Sequence, residues 1–86
     1  MVHVKTSCGF EMDADKIMFD DMELLDAVAD VDNGHPERLP YVVNKIVGDR
    51  KKDLYDLLRG EDGRVPISKI KEPILEIINQ VAGKNT

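Results

Sequence analysis

Leu57-Leu58-Arg59-Gly60-Glu61-Asp62-Gly63-Arg64-Val65-Pro66-Ile67-Ser68 joins two runs of helical periodicity, and the remainder of the chain can be laid out from it. It reads as a hinge, not an active site. Gly60 follows the helix-like Leu54, Leu57, Leu58 pattern and is expected to take the positive φ of a C-terminal cap, while Asp62-Gly63 is a turn dipeptide. Val65 must then run extended, because a residue before proline is pushed out of the α region.

On the N-terminal side of the hinge, the spacing predicts a helix over 50–59 capped by Asp49, with Leu54, Leu57 and Leu58 inward and Tyr55 at the side. Before it, Pro40 is tolerated only in a first turn. A second helix therefore begins near Arg38 or Leu39 and carries Leu39, Val42, Val43 and Ile46 inward until Gly48. An earlier helix starts at Asp20, an N-cap with Glu23 three residues on, and ends at Asn33-Gly34. Its apolar stripe is Leu24, Leu25, Val28 and Val31, with Met22 beside it. Beyond the hinge, Ile67, Ile70, Ile74, Ile77, Ile78 and Val81 keep helical spacing. Pro73 removes a donor there, so the last helix is expected to start near Glu72 or to bend, and to stop at Gly83.

The first residues follow another rule. Val2, Val4, Thr6, Cys8, Phe10 and Met12 alternate with His3, Lys5, Ser7 and Glu11, a period of two that means β structure. It is either one long strand or a hairpin folded at Ser7-Cys8-Gly9, and a single strand would need a partner from elsewhere. The fold class is thus mainly α: one small domain over 1–86 of about four short helices, with a β segment over 1–13, a helical part over 20–83 and a tail over 84–86.

The chain has 86 residues, too few to enclose a large catalytic pocket. Its single cysteine, Cys8, excludes an internal disulfide. Charge interrupts every apolar run before it could span a bilayer, and the opening residues lack a signal-peptide core, so no membrane association and a cytoplasmic location are expected. Net charge is -5 and unevenly spread. Residues 1–33 hold nine Asp and Glu against Lys5 and Lys16, a balance of -7, and the remainder holds eight against ten, a balance of +2. The basic group Arg50-Lys51-Lys52, Arg59, Arg64, Lys69 and Lys71 is diluted by Asp53, Asp56, Glu61 and Asp62, and reads as a solvated helix face, not a nucleic-acid footprint.

No constellation carries chemistry. An EF-hand reading of the hinge fails, since aligning Gly63 with the loop's invariant glycine puts Lys69 where the bidentate Glu belongs. Cys8, His3 and His35 are too few for a structural zinc site. A Cys8–His35 dyad depends on adjacency in space, and with no motif around it Cys8 reads as a buried or incidental thiol. Neither catalytic residues nor a cofactor or metal site is expected. Met12, Met18 and Met22 lie with Phe19 among acids in the first 22 residues. Flexible thioethers suit a surface that accepts varied apolar partners, and equally fill gaps where a β segment meets helices. Met18, Phe19 and Met22 are the candidate contact, with Tyr41 and Tyr55 as the alternative.

Gly9-Phe10-Glu11-Met12-Asp13, the run from Asp20 to Asp30, Leu39-Pro40 with Gly48 and Asp49, and above all Glu61-Asp62-Gly63-Arg64-Val65-Pro66 resemble a family of short proteins of tailed phages and prophages of Gram-positive bacteria. These are the tail assembly chaperones encoded just before the tape measure protein. Arg50-Lys51-Lys52 departs from the more mixed segment expected there. The resemblance implies a nonenzymatic protein that escorts the helical tape measure protein while tail-tube subunits polymerise around it. It would act in the cytoplasm of the bacterial host and be absent from the mature virion. Self-association into a homo-oligomer stays open. The resemblance also implies a second, longer product made by ribosomal slippage, for which codons at Lys84-Asn85 are the candidate site; an ordinary polar C-terminus is the alternative. The competing classes are a structural subunit of the tail or head-to-tail joint and a small DNA-binding regulator.

Overall fold

The computed structural model describes residues 1–82. The expected stop at Gly83, the tail over 84–86 and the slippage site at Lys84-Asn85 lie outside the described residues.

The β segment is a hairpin. Strands β1 (Val2–Lys5) and β2 (Glu11–Ala14) pair antiparallel with Val2 opposite Ala14 and Val4 opposite Met12, so the β structure extends one residue past the expected limit. The even positions do face inward: Val4, Thr6, Phe10, Met12 and Ala14 are buried, and Val2 and Cys8 are half-buried. Thr6 is a buried polar residue whose hydroxyl is satisfied inside the turn, donating to the Phe10 carbonyl at 3.0 Å and accepting from the Phe10 N–H at 3.2 Å.

A 3-10 turn, Lys16–Phe19, follows, entered by the Asp15 carboxylate, which accepts from the Ile17 N–H at 3.2 Å. Asp20 closes that turn through its N–H to the Ile17 carbonyl and so does not cap the next helix. The cap is Asp21, whose Oδ1 accepts from Glu23 and Leu24 N–H groups at 3.0 and 3.2 Å. Helix α1 then runs over Met22–Asp32. A 3-10 turn, Pro36–Arg38, leads into α2 (Leu39–Val47), which begins where the sequence places it and ends at Gly48 with φ +53°.

Helix α3 is Lys51–Leu58, entered through a 3-10 turn Gly48–Arg50 with no side-chain capping bond, so Asp49 is not the expected cap. Turn carbonyls take over part of that role: the Lys51 N–H reaches the Gly48 carbonyl. The exit is also corrected. Gly60 is not among the glycines with positive φ; α3 stops because Arg59 turns extended, at φ -65° and ψ 131°. Gly63 does take positive φ, +85°, and the loop closes through Gly63 N–H to the Gly60 carbonyl and Gly60 N–H to the Arg64 carbonyl.

Helix α4 spans Ile67–Ala82 with Pro73 inside it, so it starts well before Glu72. Starting early costs the hydrogen bond that residue 73 would make to Lys69, roughly 3 kcal/mol with the ring's clash. Burial of Ile70, which a later start would leave in the loop, offsets about 1.5–3 kcal/mol of that. In the packed domain α2 touches α1 and α3, α3 touches α4, and α4 covers β1. The core runs through Val4, Phe10, Leu24, Val42, Ile46, Leu54, Ile77 and Val81.

Two polar side chains of α4 hold the hairpin. Gln80 bridges both backbone groups of Lys5, accepting from its N–H at 3.3 Å and donating to its carbonyl at 2.9 Å. The Glu76 carboxylate accepts from the Ser7 N–H and hydroxyl, each at 2.7 Å. A helix therefore satisfies groups that an edge strand would otherwise present to another chain. Among the described residues no helix is long and apolar enough to cross a membrane.

Candidate functional site

The nucleophile and metal candidates are dispersed. Cys8 Sγ lies 3.3 Å from Thr6 Oγ1 at the edge of a recess shared with Arg59, Lys69 and Pro73, whereas His35, which does not line that recess, bonds Glu37 at 3.1 Å. His3 stands between Asp13 at 2.8 Å and Glu11 at 2.9 Å on the outer face of the hairpin. Those two carboxylates, Asp13 first, raise its pKa from the ordinary 6.5. Among the described residues no group of three His, Cys, Asp or Glu side chains is placed to hold a metal ion. The basic residues near the hinge are mostly neutralised locally: Arg50 pairs with Asp53, Lys52 and Arg59 with Asp56, and Arg64 with Asp62.

Exposed apolar side chains lie on several elements, and two of them, Met22 and Leu25, share one face of α1. A helix turns 100° per residue, so Leu24 and Leu25 point in well-separated directions, and on α1 only Leu24 meets the core. Leu24 and Ala27 are buried with Val28 and Val31 packed beside them, and this is the inward stripe. Leu25 is turned out, 58% exposed, in line with Met22 at 66% and Ala29. The expectation that Leu25 faces the core is thus corrected; Leu57, also placed inward from spacing, is likewise exposed, as is Ile67 at the first residue of α4.

Beside that outer stripe lies a crease. Val28, Val31 and Asp32 of α1 form one wall, Lys71, Leu75 and Ile78 of α4 the other, and Leu39, Val42 and Ile74 the floor. Its free volume is about 20 Å³, room for about one water molecule. No small molecule lodges there, but side chains from something laid across it could.

The proposed contact residues are not gathered into one patch. Met18 and Phe19 sit on the 3-10 turn that packs on α4 and are half-buried against the core, so they serve partly as packing. Met22, three residues on, opens the exposed stripe. Tyr41 is half-buried with the Arg38 guanidinium 5.4 Å from its ring centroid. Tyr55 lines a different recess, of about 190 Å³, with Pro36, Pro40, Val43 and Ile70; that recess meets the crease only at Leu39. Sequence reasoning missed Leu75 and Ile17, which are 46% and 71% exposed. The signal was there for Leu75, which stands outside the Ile70, Ile74, Ile77, Val81 stripe of its own helix.

The entry to α1 is pinned electrostatically. Asp21 Oδ2 lies 3.2 Å from Lys45 Nζ on α2. The Leu24 N–H, followed by Lys45, holds the Asp21 carboxyl below its ordinary 3.8. Farther along, Arg38 pairs with Asp30 at 3.0 Å, leaving Glu23, Asp26 and Asp32 with no ion-pair partner among the described residues. Unpaired carboxylates therefore border the exposed apolar stripe. No family model, curated protein or solved structure matches the chain.

Proposed function

We propose that the protein is a nonenzymatic phage tail assembly chaperone, which binds the tape measure protein and tail-tube subunits in the host cytoplasm and leaves before the virion is complete. The observation that carries this reading is the second apolar stripe of α1, Met22-Leu25-Ala29, turned to solvent beside the crease with α4. Burying this stripe instead would turn Leu24 and Ala27 out of the core, so Leu25 stays at 58% exposure. An adaptable apolar strip of that kind can cover the apolar face of another helix, which is what keeping a long helical protein from aggregating demands. The order and spacing of the motifs that end in Glu61-Asp62-Gly63-Arg64-Val65-Pro66 add the resemblance to the chaperone family.

The test is co-expression with the tape measure protein of the same phage or prophage, followed by size-exclusion chromatography. The two should co-elute, and the tape measure protein expressed alone should sediment as aggregate. A tape measure protein that is equally soluble without this chain and never co-elutes with it overturns the reading. Presence of the chain in purified virions would favour a structural subunit of the tail or head-to-tail joint instead.

A further inference from the structure

We infer that the crease between α1 and α4 is the seat of a basic amphipathic helix, supplied by a partner whose apolar face lies along Met22, Leu25, Val28, Leu75 and Ile78. The identity of that partner as a tail protein rests on the proposed function; the chemistry of the seat does not.

Shape selects a helix. The walls are two helices and the floor is apolar, a trough in which a third helix packs with apolar anchors repeating at three- and four-residue spacing. The α1 wall, 11 residues, is roughly 16 Å long, enough for three turns of a partner. An extended strand finds no ladder here, because every residue lining the crease is on a helix.

Charge selects a basic helix. The first 33 residues carry -7, and Asp26 and Asp32, flanking the stripe on α1, have no ion-pair partner among the described residues, whereas Asp21, Asp30, Asp53, Asp56 and Asp62 do. Lysines or arginines flanking the apolar face of a docked helix would meet those carboxylates. A second copy of this chain docked through the same stripes would bring acidic α1 against acidic α1, with Lys71 the one basic side chain among the described residues that line the crease. Like charges so placed disfavour the homodimer at this face.

The probe is a dye-labelled synthetic helix of about 18 residues, Leu on one face and Lys on the other. A second version carries Glu for every Lys. Fluorescence anisotropy against the full chain should show binding of the Lys probe and little of the Glu probe. Leu25→Asp should weaken the Lys probe by about tenfold or more, although it adds negative charge, while Leu57→Asp on a remote exposed leucine should leave affinity within about twofold. Asp26→Asn with Asp32→Asn should weaken binding and flatten its salt dependence. All four sites are exposed, so circular dichroism and Tm should match the wild type.

Equal affinities of Leu25→Asp and Leu57→Asp, tighter binding by Leu25→Asp, or equal binding of the Glu probe would overturn the inference. A dimer in sedimentation equilibrium that Leu25→Asp dissociates would do the same, by giving the face to a second copy. Binding of the Lys probe at the crease with no capture of the tape measure protein leaves the seat standing and removes the proposed function. Capture that Leu25→Asp does not affect leaves the function and removes the seat.

Discussion

Replacing Gly63 isolates the cost of backbone conformation at the hinge. Its φ of +85° lies where an L side chain is strained, and a Cβ built there meets nothing within 4 Å, so crowding contributes nothing to the penalty. The loop's hydrogen bonds also survive in principle: Gly63 donates through its N–H to Gly60 and accepts at its carbonyl from Arg59 Nη1 at 2.8 Å, and any residue except proline retains those groups. What remains is about 1–2 kcal/mol for alanine, with more for β-branched valine. A smaller entropy of the unfolded chain offsets about 0.4–1 kcal/mol of it. A net loss near 1 kcal/mol lowers Tm by roughly 4–8 °C in a domain of this size. Gly60→Ala supplies the contrast, since Gly60 lacks positive φ and its Cβ would meet Asp62 Oδ1 at 3.3 Å, the movable end of a side chain. Thermal and urea denaturation followed by far-UV circular dichroism should rank stability as wild type, then Gly60→Ala, then Gly63→Ala, then Gly63→Val. Equal Tm for Gly63→Val and wild type, or a larger loss at Gly60 than at Gly63, would refute this account of the turn.

Acid stability should depend on Asp21, whose folded pKa is depressed: its contribution is complete above its unfolded value and is lost as pH falls through the lower folded one, so Asp21→Asn should flatten the acid limb of a Tm–pH curve. His3 has the opposite sign, its raised pKa stabilising the hairpin below about 6.5 and the effect fading as pH rises through the folded value; His3→Gln should remove that slope near neutrality. Cys8→Ser and His35→Ala should each leave capture of the tape measure protein unchanged; loss of capture at constant Tm would reveal chemistry at those residues. Met22→Ala should weaken capture with Tm unchanged because the side chain is 66% exposed, whereas Phe19→Ala, half-buried, should lower Tm; the reverse pattern would exchange their roles.

Local constraints were legible because each acts within a few residues. Alternation over Val2 to Met12 named the inward face, Pro40 could stand only in a first turn, and Gly48 and Gly63 occupy backbone conformations that other residues avoid. The choice between one strand and a hairpin was not local: pairing Val4 with Met12 requires a register that alternation does not specify. Adjacent acids Asp20 and Asp21 are equivalent caps in sequence, and what separates them in space is the turn that consumes Asp20 and the Lys45 that holds Asp21. Likewise Pro73 argues locally against a long last helix, and only the burial of Ile70 outweighs it.

The candidate surface lies almost wholly on the tertiary side. From sequence, Leu24 and Leu25 are two apolar residues at the edge of one stripe; packing against α2 and the Pro36–Arg38 turn decides which faces inward, and the other is left in water. Glu76 and Gln80 read as ordinary helix surface until the hairpin lies against α4 and uses them. Composition set the acidic character of the first third, because charge is counted along the chain. Its meaning as the rim of a trough depends on which helices are neighbours, and that follows from the few long-range contacts that bury the most apolar area.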